Sequence, residues 1–341
     1  MDKQLSYDSL KSVLKHMSLE KREAINRQIP ELRTINYRLP YVLETLFIGS
    51  FFEINGKYWT FKPTWVQSSE NPLNYNADPK KCELTITQYN PEKEARQSMN
   101  KSDEEVLEQL FDEYIRDGTV VRGLLGCHGI PEFLKRRREN EVDLKVKATN
   151  LQLKIHETED YEHFIRFIDL DVLENVEFLN TGNAQALLDK PEIKNCKNLI
   201  VDAMSLDIPS VNELLRLRNQ HLQIEGYRFT RNEVHQFVQD WIITGREIGT
   251  RFSWPQRRSE DVVNMLDYLK THFETLEADS NLESYFSDKT IYGNGTALKM
   301  RENRELVMFC GKSNIPSEWT PFTFEMEVVA SATGTVPTPD V

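Results

Sequence analysis

Apolar residues at the start of the chain recur with helical spacing. Leu10, Val13, Leu14 and Met17 stand at i, i+3, i+4 and i+7, which sets them on one face of a short amphipathic helix. Ser6 or Asp8 is placed to cap its start. A second helix is expected after Ser18, with Ala24, Ile25 and Ile29 on one side and Pro30 at its limit. Leu32 and Ile35 extend the apolar set before Pro40 breaks the chain again. This helical module, residues 1–45, is too small to hold a core alone. Its apolar face needs a partner, either the rest of the chain or another protein.

From Val42 to Tyr89 the period changes to that of strands. Phe51–Ile54 and Tyr58–Phe61 flank Asn55-Gly56, a strong short-range hairpin signal. A polar loop with Pro72, Asn76 and Pro79 is expected next, then an alternating strand over Leu84–Tyr89. Pro91 to Glu104 is polar and reads as mobile, and Val106, Leu110 and Tyr114 carry helical spacing. Residues 46–143 thus read as a small β-rich region with mobile polar loops.

Between Leu144 and His272 a short β run is followed by an amphipathic helix several times over. Ser210 and Glu213, then Thr230 and Glu233, are spaced as capping boxes at helix starts. Behind Thr230, Val234, Phe237, Val238 and Trp241 keep one helix face apolar. The strand centres recur every 20 to 30 residues or so, the range of leucine-rich-type repeats, although the full repeat ladder is missing. Residues 144–329 are therefore read as an irregular leucine-rich-like β-α region, closed by strands at Leu306–Cys310 and Phe322–Val328. The last segment, 330–341, has no apolar period and is expected to be disordered. The fold class is α/β (α+β).

Composition narrows the function classes. The 341 residues carry a net charge of −12, which opposes binding to nucleic acid. No stretch approaches a membrane span and the charged start does not read as a secretory signal. The four cysteines, Cys82, Cys127, Cys196 and Cys310, form no CxxC pair, so a reducing compartment is expected: the cytoplasm, with the nucleus open.

Each chemical motif has a plainer structural reading. Gly311-Lys312-Ser313 lacks the earlier glycine of a phosphate loop, since Leu306 stands there. His156 and His163 bracket acids that suit a helix N-terminus better than a metal. Cys127-His128 lies between glycines, as in a turn, and Lys135–Arg138 is flanked by acids, as on a solvated helix. No catalytic, metal or cofactor constellation survives, and no small-molecule ligand is expected.

The segment Leu5–Met17, followed by Arg22 and Pro30-Glu31-Leu32-Arg33, resembles the F-box-like start of a nematode-expanded family of F-box and F-box-associated proteins. The stretch Leu222–Trp241, with its helix starting at Arg231, looks like the associated repeat region of that family, and Arg301–Val328 fits its strand-rich end. The resemblance implies a non-enzymatic adaptor: the F-box docks on the Skp-type linker of a cullin–RING ubiquitin ligase, and the C-terminal region selects a protein substrate. Carried over, the docking face is Leu5, Leu10, Val13, Leu14 and Met17. The usual Leu-Pro start is Leu5-Ser6 here. The alternative is a stand-alone protein-binding scaffold with no ligase partner.

Overall fold

The structure is a computed structural model that describes residues 6–67, 75–89, 92–137, 144–154, 158–179, 184–203, 209–273, 276–277, 282, 286, 289–293, 295–313 and 320–331. It is a mixed α/β chain that divides into two compact units, Met1–Asn183 and Ala184–Val341.

The first unit opens with α1 (Tyr7–His16), α2 (Leu19–Gln28) and α3 (Arg33–Tyr37), with a 3-10 turn at Pro30–Leu32. Ser6 caps α1 by accepting from the Ser9 amide at 3.2 Å. In α2 it is Leu19 and Arg22 that turn inward, while Ile29, expected on the apolar side, is exposed.

Five antiparallel strands follow: β1 (Val42–Gly49), β2 (Phe51–Ile54), β3 (Lys57–Gln67), β4 (Tyr75–Tyr89) and β5 (Glu92–Met99). Asn55 and Gly56 both have positive φ, as the expected hairpin turn requires. Two expectations fail here. The stretch around Asn76 and Pro79 belongs to β4, and the polar segment after Pro91 is β5, in register with β4 from Cys82↔Met99 to Tyr89↔Glu92. An edge strand needs no apolar alternation, and charges along it discourage stray pairing. Pro72 lies outside the described residues.

After α4 (Asp103–Tyr114), β6 (Val120–His128) returns parallel to β1. Ser102 and Glu105 cap α4 reciprocally. Then come α5 (Glu132–Arg136), β7 (Val146–Ala148), β8 (Asn150–Lys154), α6 (Thr158–Ile165), β9 (Ile168–Asp169) and β10 (Asn175–Phe178). The sheet runs β5-β4-β3-β2-β1-β6-β8-β10, parallel from β1 to β10. Strand side chains alternate between faces. Phe52 and Trp59 meet Tyr114 of α4, so Leu46, Ile48, Leu84, Leu125 and Leu153 fill the core on the helix side.

The second unit contains α7 (Ala184–Leu188), α8 (Pro191–Asn195), β11 (Asn198–Asp202), α9 (Val211–Leu214), β12 (His221–Glu225), α10 (Arg231–Thr244), β13 (Arg251–Gln256) and α11 (Ser259–His272). It ends in β14 (Leu276–Glu277), β15 (Thr296–Lys299), β16 (Arg304–Lys312) and β17 (Phe322–Ala330). Strands β11, β12 and β13 are parallel, and β17 then adds antiparallel to β13, beside β16. Helix α9 ends at Leu214, and Leu217 is buried from the loop beyond it. Phe237 of α10 packs on Phe252 at 5.0 Å between centroids, which sets the helix face of this sheet. Among the described residues no helix is long and apolar enough to cross a membrane. Of the tail expected to be disordered, residues 332–341 lie outside the described residues.

The helices α1–α3 are tied to the first sheet by two arginines. Buried Arg22 donates to Asn36 Oδ1 (2.5 Å), Asn36 O (3.1 Å), Leu39 O (3.1 Å) and Pro40 O (2.6 Å). Arg116, after α4, donates to the same Asn36 and Leu39 carbonyls. Each carbonyl keeps one donor if the other arginine is lost. We predict that Arg22→Leu and Arg116→Leu each cost about 1–3 kcal/mol, and that the double variant costs about 1–2 kcal/mol more than their sum. Urea denaturation of the four proteins in the cycle measures this, and simple additivity would contradict the shared-acceptor account.

Candidate functional site

Of the expected docking face, Leu5 lies outside the described residues. Leu14 is buried, Leu10 and Met17 are half-buried, and Val13 is 43% exposed, with Tyr7 of the same helix 52% exposed. The stripe is therefore split: Leu14 anchors α1 inward, and Val13 points to solvent.

A second surface lies on the first sheet, on the side away from α4. Across the strands, Gly126, Phe47, Glu53, Tyr58, Thr87 and Glu94 stand in register on this face. Phe47 and Phe51 rings lie 6.3 Å apart, and each meets His128 edge-on at 5.4 Å. Phe51 continues to Tyr58 at 6.2 Å, and Tyr58 meets Tyr89 at 5.1 Å with the planes at 84°. A Cβ at Gly126 would come within 2.0 Å of Phe47, so only glycine lets that ring lie across β6. Tyr89 is 67% exposed. Buried Glu53 accepts from Thr45 Oγ1 at 3.1 Å. Burial, with the Glu53 carboxylate beside it, pushes the Tyr58 phenol up. The ring row escaped the sequence reading, although the alternation of Phe51 and Tyr58 about the hairpin was a usable signal.

The second sheet carries a polar row on its own helix-free face. His221 Nε2 lies 2.9 Å from Ser253 Oγ, which donates to Glu325 Oε2 at 2.9 Å, and Arg251 Nε donates to the same oxygen at 2.5 Å. A nucleophile relay needs the imidazole between hydroxyl and carboxylate. Here the hydroxyl is in the middle, and it gives its proton to the acid. The row is a structural ladder.

A cleft of about 810 Å³ opens at the carboxyl ends of β11 and β12, lined by Ala203, Pro209, Ser210, Tyr227, Arg228 and Glu233 among others. Open α/β sheets bind ligands at such ends. Glu233, in its lining, and Glu213, on the helix that Ser210 caps, are both committed to capping. Glu213 accepts from the Ser210 amide at 2.7 Å, and Glu233 from the Thr230 amide at 2.7 Å and the Tyr227 hydroxyl at 3.0 Å.

The remaining motifs are dispersed. Cys127 is fully buried with its thiol pushed well up by burial, whereas His128 faces Phe47 and Phe51, so the two share no site. Lys135 bonds Asp160 at 2.9 Å and Arg137 bonds Asp112 at 2.6 Å, while Arg138 lies outside the described residues. Gly311 and Lys312 sit within β16. His163 contacts Arg166, and His156 lies outside the described residues. Among the described residues no three His, Cys, Asp or Glu side chains are grouped to hold a metal ion, and the four cysteines are buried thiols.

Residues 105–257 match a domain of unknown function, DUF3557. The match runs from α4 through β13, less than half of the chain, and takes in every parallel β-α step from β6 onward. No curated protein and no solved structure matches the chain. The DUF3557 stretch contributes His128 to the aromatic face but none of its four other rings.

His221 gives this region a pH dependence. Burial, reinforced by the Arg251 and Lys289 charges, lowers its pKa from 6.5 to about 4. Between those values the unfolded chain takes up a proton that the folded chain refuses. Stability therefore falls as pH drops from about 6.5 to 4, by at most on the order of 3 kcal/mol. Denaturation midpoints across this range should flatten in His221→Gln; an unchanged pH profile would contradict the assignment.

Proposed function

We propose that the chain is an intracellular protein-interaction adaptor, the substrate-recognition subunit of a Skp–cullin–F-box type ubiquitin ligase. In this reading α1–α3 form an F-box-like module, and residues 144–329 are an irregular, leucine-rich-like recognition region. The observation that carries it is the divided face of α1. Leu14 holds the helix in place, while Val13 and Tyr7 remain exposed and Leu10 and Met17 half-covered. Burying a side chain of this size contributes about 1.5–3 kcal/mol before association costs. A docking helix also needs a firm mount, and the Arg22 and Arg116 bonds supply one.

Support also comes from what the polar groups are doing. The Ser253 hydroxyl, the Cys127 thiol and the Glu233 carboxylate of the cleft are each engaged in structural bonds or sealed in the core. The buried thiols suit a reducing compartment.

Co-expression of the full chain with a Skp-type linker tests the reading. Val13→Asp should reduce linker retained on the tagged chain more than tenfold, with stability changed by no more than about 0.5 kcal/mol. Equal retention by the variant, or none by the parent chain, leaves the stand-alone scaffold as the better reading.

A further inference from the structure

We infer that the aromatic face of the first sheet is a docking surface for an extended, basic segment of a partner protein, one cationic side chain of which seats in the corner between Tyr58 and Tyr89. This deepens the adaptor reading and rests on it only for the choice of a polypeptide as occupant.

The corner has the geometry of a cation site. Two phenol rings stand at 84° with centroids 5.1 Å apart, and Tyr89 is open to solvent. An ammonium or guanidinium is attracted to a ring face within about 6 Å of its centroid, and two rings at right angles present two such faces to one point. The charge around the corner has the matching sign. Glu92 stands directly opposite Tyr89 in the β4–β5 ladder, exposed and without a hydrogen bond or ion pair among the described residues. Glu53 stands opposite Tyr58. Of the bases on this face, Arg96 is bonded to Glu94 at 2.7 Å, and Lys62 and Lys154 stand on β3 and β8, opposite Glu83 and His128.

Beyond the corner the track becomes apolar: Phe51, Phe47 and the edge of His128 continue across β2, β1 and β6. A segment laid across the strands therefore meets an acidic, aromatic end and then a hydrophobic run. Nucleic acid would also stack on such rings, but Glu92, Glu53 and a net charge of −12 repel phosphate. A basic, partly apolar peptide satisfies both halves.

The test uses the full chain and a fluorescein-labelled nonapeptide in which lysine alternates with alanine around a central proline, read by fluorescence anisotropy. The counterparts carry glutamine or glutamate in place of lysine. The lysine peptide should bind saturably and at least about tenfold more tightly than either counterpart. Tyr89→Ala should weaken it at least about threefold, Tyr89→Phe should not, and Glu92→Gln should also weaken it at least about threefold. Glu260→Gln, which removes an exposed charge from the second unit, should have no effect. The proposal is overturned if the lysine peptide fails to bind, if Tyr89→Ala leaves its affinity unchanged, or if Glu260→Gln weakens it as much as Glu92→Gln does. Tighter binding of a labelled oligothymidylate would overturn it in favour of nucleic acid. Linker capture by Val13→Asp is scored separately, so that a failure of the peptide assay is not mistaken for a failure of the ligase reading.

Discussion

Two guanidinium groups hold the amino-terminal helices of this protein in place, without an opposing carboxylate among their direct hydrogen-bond acceptors. Arg22 and Arg116 converge on the carbonyls of Asn36 and Leu39, and both lie over the Tyr41 ring, at 4.0 and 4.5 Å. Burial, with the nearby Arg116 charge adding to it, lowers the Arg22 pKa to about 10, which leaves it charged at neutral pH. Carbonyl dipoles and the face of an aromatic ring take the place of a counter-ion. The arrangement depends on the planar fork of arginine, which reaches several carbonyls at once; a lysine offers a point charge and no fork.

The consequence runs through the rest of the first unit. With α1–α3 anchored at the Pro40 turn, β1 leaves in a fixed direction and becomes the strand on which both halves of the sheet are built. On one side it opens the antiparallel meander to β5, and on the other it takes β6 in parallel. A second tie, from the Tyr114 hydroxyl to Glu23 at 2.9 Å, fixes α2 against the end of α4. The helices and the sheet of the first unit are thus tied at two separate points.

Local patterns made much of this fold legible. The 3.6-residue period of α1 and α10, the Asn55-Gly56 turn and the acid three residues after Thr230 each report a geometry decided within a few residues. What stayed hidden was decided by distant partners. Strand β5 has no apolar alternation because its order comes from backbone pairing with β4. Val13 and Leu14 are both apolar and adjacent in the expected stripe, and only the packing of α1 assigns one to solvent and the other to the core. The aromatic face draws its five rings from positions 47 to 128, so no window of sequence contains it.

The polar faces of the two units resolve the same constraint in different ways. A sheet with helices on one side must do something with its other side chains. In the second unit they close on themselves: His221, Ser253, Glu325 and Arg251 satisfy one another, which removes them from recognition and makes them costly to disturb. In the first unit Tyr58 is bonded to Glu53 and His128 lies 3.4 Å from Gln152, while the ring-to-ring contacts leave the Tyr89 face and the Glu92 carboxylate open. Aromatic surface of this kind gains little from water and much from an apolar or cationic neighbour. The helix-free face of the first sheet therefore keeps aromatic surface and a carboxylate that its own fold does not pair, whereas the ladder of the second unit is closed by its own side chains.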